Sequence, residues 1–175
     1  AFETASKAFK GTEEDIRTAR AFQILSAKPG IYGMIGGQTA DVESEHREIP
    51  FEELLFIHKN KTAALIECAM MIGAVLAGAS PEEVGIVEQI AGKTGMAFQI
   101  QDDILDLTST QEELGKPVGS DEKNQKNTYV SMKGLEQSGK DVIQYTKEAL
   151  DAFDSLHRDN AFLRDLLLHL SGRKK

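Results

Sequence analysis

The 175 residues carry a formal net charge of −8 and a single cysteine, and the pI lies near 5.1. No basic stripe is present to neutralise phosphates, which argues against nucleic acid as a partner; with Cys68 alone no disulfide closes within the chain, and a reducing cytosol is the natural compartment. A chain of this length folds as one domain around a sizeable core.

Ala1–Lys10 reads as the tail of a helix, because no capping residue precedes Phe2, and these residues lack the basic region and apolar run of a signal peptide. Thr12-Glu-Glu-Asp15 forms a capping box with Asp15 at the third position, starting a helix to about Ala27 that Pro29-Gly30 ends. Gly30, Gly33 and Gly36, with Gly37 beside them, do not follow the Gly-x-Gly-x-x-Gly order, and no strand precedes them, so a nucleotide loop is excluded. Glycines three apart on a helix let a neighbouring backbone approach, at about 1 kcal/mol each relative to Ala. Gln38, Asp41 and Glu45 then share one helical face.

Pro50-Phe-Glu-Glu53 opens a long helix to about Gly78 that offers Leu54, Leu55, Ile57, Leu65, Ile66, Met70 and Val75 to the core. Within it Ala63–Ala79 is apolar for about the length of a membrane span. Glu67 interrupts that run and its flanks lack aromatic or basic anchors, which predicts a buried helix and no membrane span. Cys68 lies in the same run and reads as a small core residue. Ser80-Pro81-Glu82-Glu83 starts the next helix, with Ser80 at N-cap and Pro81 at N1, and this helix leads into Asp102–Asp106. Thr108–Lys126 is polar and broken by Gly115, Pro117 and Gly119, the pattern of a loop. Thr128–Lys133, Leu135–Leu156 and Asn160–Leu170 read as three further helices, and Arg173-Lys-Lys175 as a frayed basic tail. Strand patterns, repeats and linkers are not evident, and the chain is expected to be all-α.

The chemistry concentrates in Gly95–Leu107. Gln99, Asp102, Asp103 and Asp106 fall at offsets 0, 3, 4 and 7 and form one polar stripe on a helix. Two carboxylates about 5–6 Å apart repel by roughly 3 kcal/mol at an effective dielectric near 20. Asp106 also lies near a helix C-terminus, where the macrodipole disfavours anions. A hard divalent cation removes both problems, and an all-oxygen set suits Mg²⁺ held by one or two carboxylates plus substrate phosphates. A solvated acidic face is the alternative for Asp-Asp-x-x-Asp taken alone. Gly92-Lys93-Thr94 lacks the glycine spacing and strand of a P-loop, and the four histidines show no ligand spacing, so these read as surface or packing residues.

Phe98-Gln-Ile-Gln-Asp-Asp-Ile-Leu-Asp106 closely resembles the second aspartate-rich motif of the trans-isoprenyl diphosphate synthases, the farnesyl and geranylgeranyl diphosphate synthase family. Gly36-Gly-Gln-Thr-Ala-Asp41, His58-Lys-Asn-Lys-Thr62, Leu114-Gly-Lys116, Gly119-Ser-Asp121 and Lys126-Asn-Thr-Tyr129 resemble further pieces of that family, in its order. The resemblance implies an all-α isoprenoid synthase-type bundle, normally a cytoplasmic homodimer. It also implies a prenyltransferase that uses Mg²⁺ to condense isopentenyl diphosphate with an allylic diphosphate.

By the same resemblance Asp102 ligates Mg²⁺, Asp106 ligates it or positions its water, and Asp103 supports them. Phe98, Gln99, Lys61, Lys116 and Lys126 form the diphosphate substrate site, with Lys123 passed over, while Gln38 and Thr62 face the carbocation. Farnesyl diphosphate is the first product expected, geranylgeranyl diphosphate the next. The wording of the motifs resembles chain-elongating synthases more than terpene cyclases.

The family carries two aspartate-rich motifs, and this sequence contains only the second. The resemblance therefore implies the C-terminal half to two-thirds of a synthase domain, incomplete at the N-terminus and weak or inactive alone. The alternative is a non-catalytic subunit supporting a partner synthase, against which the intact second motif argues.

Overall fold

A computed structural model of the chain describes residues 2–11, 15–109 and 127–173. These form helices α1 (Phe2–Ser6), α2 (Asp15–Ala27), α3 (Met34–Glu43) and α4 (Phe51–Ile57), a π-helical segment (His58–Ala63), then α5 (Ala64–Leu76) and α6 (Pro81–Thr108). After the undescribed stretch come α7 (Tyr129–Lys133), α8 (Leu135–Ser155) and α9 (Ala161–Ser171). No strand occurs among the described residues.

The long helix α6 is the axis on which the others are laid. Its start is fixed locally: the Ser80 hydroxyl accepts from the Glu83 backbone N–H, the Glu83 carboxylate accepts from the Ser80 N–H, and Pro81 occupies N1. A second capping box, Thr128 with Ser131, starts α7, and Asn160 caps α9. Helix α6 packs against α5, the π segment and α8, and also meets α7 and α9. The core beneath the aspartate end gathers Ile49, Leu54, Ile57, Ala97, Ile100, Tyr129 and Val142. Ile100 is 0% exposed, a burial that stabilises by about 2 kcal/mol. A second cluster, Ile90, Phe153 and Leu167, closes the other half of α6.

Several expectations need correction. The N-terminal helix ends at Ser6 rather than Lys10, and Asp15 turns its carboxylate back to accept from the N–H groups of Lys10 (2.9 Å) and Gly11 (2.6 Å). Thr12 of the expected capping box and most of the expected loop, from residue 110 to Lys126, lie outside the described residues. Gly30 and Gly33 belong to the turn before α3, where a side chain at Gly33 would collide with the Lys28 carbonyl. The close backbone approach falls instead at Gly37, whose absent side chain would sit 2.7 Å from Asn60. Glu45 lies past the end of α3, so the shared face stops at Asp41.

The expected single helix from Pro50 to Gly78 does run to Leu76, but its middle is wound as a π segment. Glu67, the charge that argued against a membrane span, is buried and ion-paired with Lys28, which also reaches Glu88 at 2.6 Å. Burial alone would lower the Lys28 ammonium pKa, yet the hydrogen bonds from Glu67 and Glu88 raise it above its ordinary value. Gly92 leaves the room for Glu67, since a side chain there would meet its Oε1 at 2.9 Å. Cys68 is buried, and burial pushes its thiol pKa up, away from nucleophilic reactivity. Among the described residues no helix is long and apolar enough to cross a membrane.

Candidate functional site

Among the helical segments of the described residues, His58-Lys-Asn-Lys-Thr-Ala63 is the one that departs from α-helical winding. A π turn spends one extra residue, which rotates everything after it by about 100° relative to an unbroken α-helix. The segment is held from both sides where two glycines let it in. On α3, a side chain at Gly37 would collide with the backbone at Asn60 and Lys61, and on α6 one at Gly95 would lie 2.5 Å from Ala63.

Polar contacts join these three elements. Lys61 Nζ lies 2.6 Å from Asp41 Oδ2 on α3, a pair about one-third exposed on the lysine side. The Thr62 hydroxyl donates to Gln99 Oε1 (2.7 Å), and Gln99 Nε2 donates to Asp103 Oδ1 (3.2 Å). Asp103 Oδ2 accepts from the Tyr129 backbone N–H at the start of α7 (2.7 Å). His58 Nε2 stands 3.7 Å from the same oxygen, with its ring stacked on Tyr129 at 6.2 Å between centroids.

His58 is 5% exposed and its Nδ1 makes no hydrogen bond. Burial drives its pKa from 6.5 down to about 4, with Lys61 contributing in the same direction and Asp41 opposing, so the imidazole is neutral near pH 7. The Tyr129 phenol, donating to Asp141 at 2.8 Å, has its pKa pushed up, first by burial and then by Asp141.

The stripe on α6 splits in two. Asp103, 7% exposed, faces inward with hydrogen bonds to both oxygens. Asp102 faces the other way and takes a cation: Arg173 Nη2 donates to its Oδ1 at 2.6 Å, while the guanidinium lies 3.9 Å over the Phe98 ring. Gln101 Nε2 holds the Arg173 carbonyl at 3.2 Å. Asp106 follows Asp102 one turn later and is 6% exposed.

The donor chemistry of the stripe fits magnesium in a particular way. Among the described residues no group of three or more carboxylate, histidine or cysteine ligands closes on a point. A Mg²⁺ ion that keeps waters and takes phosphate oxygens needs only one or two protein carboxylates. Asp102 and Asp106, one turn apart, could supply them, and the guanidinium on Asp102 shows that this face accommodates positive charge.

The remaining expected residues are distributed as follows. Gln38 is exposed on α3, one turn before Asp41, and Phe98 is half-buried beneath Arg173. Lys116 and Lys126 lie outside the described residues. Lys93 pairs with Glu148 at 2.5 Å, and the buried Thr94 hydroxyl donates to the Ile90 carbonyl, so this pair is structural. Arg173 is not the frayed tail the sequence suggests, because Asp102, Phe98 and Gln101 hold it. The Asp41 partnership with Lys61 and the place of His58 were also missed; each depends on the π turn, which has no compositional signal.

Comparison with known proteins points the same way. Residues 2–160 match the sequence model of the family described as Polyprenyl synthetase. Farnesyl diphosphate synthase of Bacillus subtilis (strain 168) is 40% identical over 151 residues, covering 86% of this chain and 51% of that protein. The heterodimeric geranylgeranyl pyrophosphate synthase large subunit 2 of Arabidopsis thaliana is 42% identical over 136 residues, 76% of this chain and 36% of that one. Among solved structures, a geranyltransferase from Helicobacter pylori, complexed with magnesium and isoprenyl diphosphate, superimposes with a TM-score of 0.79 at 34% identity. That match covers 98% of this chain and 55% of the other. The chain thus spans about half the length of the relatives it matches.

Proposed function

The chain belongs to the polyprenyl synthetase family, and from that premise we propose that it carries the diphosphate-holding half of a prenyl-transfer site. The reaction is head-to-tail condensation of isopentenyl diphosphate with an allylic diphosphate, with farnesyl diphosphate as the first product expected. The observation that carries this reading is the chain of hydrogen bonds from Thr62 through Gln99 to Asp103, which ties the Lys61-Thr62 pair to the aspartate stripe.

Lys61 and Gln99 hold the allylic diphosphate, joined by Lys116 and Lys126. The Lys61–Asp41 pair is worth on the order of 1 kcal/mol or less, because it is part-solvated, so an incoming diphosphate displaces Asp41 at little cost. Asp102 and Asp106 would hold magnesium, which when bound would neutralise the charge of the leaving pyrophosphate. Asp103 orients Gln99 from behind. The allylic C–O bond breaks and pyrophosphate leaves with the electron pair. Thr62, whose hydroxyl proton is committed to Gln99, turns its oxygen lone pairs to the developing cation together with the Gln38 carbonyl. The double bond of isopentenyl diphosphate then forms the new C–C bond, and pyrophosphate takes the proton lost in restoring the alkene.

Only one of the family's two aspartate-rich motifs lies in these 175 residues, so turnover by this chain alone is expected to be weak or absent. In the assembled enzyme, normally a homodimer, it supplies half the site. That sequence feature also supports a second reading, a subunit that supports a separate synthase chain. The test is magnesium-dependent incorporation of labelled isopentenyl diphosphate by an enzyme carrying both motifs, with Asp102→Asn beside it. A fall of about 100-fold or more is expected, the scale of losing a main electrostatic stabiliser. Undiminished turnover in the variant favours the supporting subunit.

A further inference from the structure

We propose that His58 is a positioning residue for the diphosphate site, wedged between Asp103 and Tyr129 so that it sets the Asp103–Gln99–Thr62 chain from the buried side. The inference rests on the reading that Lys61, Thr62 and Gln99 bind diphosphate. Its basis is a ladder between the π segment and α6. His58 faces Asp103 and Thr62 faces Gln99, four residues apart on each element, and the Gln99–Asp103 hydrogen bond closes the ladder along α6.

A packing role does not account for the imidazole. Its ring is buried and stacked on the Tyr129 ring, a contact that phenylalanine would make without polar atoms. Burying Nδ1 without a hydrogen bond instead costs about 1–3 kcal/mol. The cost is offset if Nε2 carries the proton and presents it to the buried Asp103 carboxylate. At 3.7 Å the contact is longer than a hydrogen bond, and contacts of this kind tighten when a site is filled. Asp103 in turn fixes Gln99, so a small displacement of the carboxylate reaches the diphosphate-binding atoms.

Imidazole-¹⁵N NMR on the chain itself reads the tautomer directly. The neutral form is expected with its proton on Nε2; a proton on Nδ1, turned away from Asp103, overturns the proposal. Calorimetry with magnesium pyrophosphate then compares wild type, His58→Phe, His58→Gln and Lys61→Ala. Binding is expected to weaken about tenfold in His58→Phe with Tm held within a few degrees, and to recover in His58→Gln, whose amide places a donor near the former Nε2. Unchanged binding in His58→Phe, or a loss that tracks Tm and is not recovered by Gln, overturns it. If Lys61→Ala binds as well as wild type, or wild type does not bind, the diphosphate reading itself fails and the tautomer alone decides the role of His58.

Discussion

Two lysine-and-carboxylate groups flank the helix that holds the π segment, Lys28 with Glu67 and Glu88 at one end and Lys61 with Asp41 of α3 at the other. At the lower end Lys28 is enclosed by Glu67 and Glu88, and regular α-helix runs on both sides. At the upper end Lys61 leans on one part-solvated aspartate, the helix is π-wound, and a buried histidine is left with an unbonded nitrogen. Lys28, just after α2, bridges α5 to α6, whereas Lys61 joins the π segment to α3. The lower arrangement gives its lysine two carboxylates and so holds the fold, whereas the upper one gives its lysine a single carboxylate, which in the proposed function a bound diphosphate displaces.

The sharpest way to break this contrast is to remove each lysine in turn. Lys28→Met strands the buried Glu67 carboxylate and is expected to lower unfolding free energy by about 3 kcal/mol, read from urea denaturation. A loss below about 1 kcal/mol would make the lower end no more structural than the upper.

An intermediate effect comes from pH. His58 has a folded-state pKa of about 4 against its ordinary 6.5, so the unfolded chain binds the proton more readily. The stability this group contributes is complete above pH 6.5 and is lost progressively as pH falls toward 4. Between pH 6.5 and 5 the expected loss is about 1.5 kcal/mol, and the slope should flatten in His58→Gln. An equal slope in the variant would assign the acid sensitivity to other groups. The smallest effect is expected for Lys61→Met, under about 1 kcal/mol of stability, with prenyl transfer falling far more than stability does. A fall in unfolding free energy as large as that of Lys28→Met would erase the distinction.

What could be read from the sequence was what depends on neighbours a few residues away. Ser80-Pro81-Glu82-Glu83 announces α6 because capping is settled within one turn, and the 3.6-residue period of Gln99, Asp102 and Asp106 needs only the helix itself. The all-α class followed from these same local signals. Glycine-mediated approach was anticipated in kind but attached to the series Gly30, Gly33 and Gly36 rather than to Gly37 beside it, since which glycine meets a neighbour is decided by a segment twenty-odd residues away. The turning of Asp103 inward, apart from Asp102, was hidden for the same reason: its donor is the backbone of Tyr129, contributed by another helix. Arg173 gave no sign at all, because its hold on Asp102 and Phe98 exists only once the chain has returned across α6.

The π winding has a consequence for how this chain can vary. The residues before His58 keep Leu54 and Ile57 in the core, those after Ala63 keep Cys68 and Val75 there, and the two sets are out of phase by the residue that the turn absorbs. Deleting one position anywhere in 58–63 would restore an unbroken helix and force one set out of its cavity. The length of this stretch cannot change, and sequences that share the site should align through it without a gap.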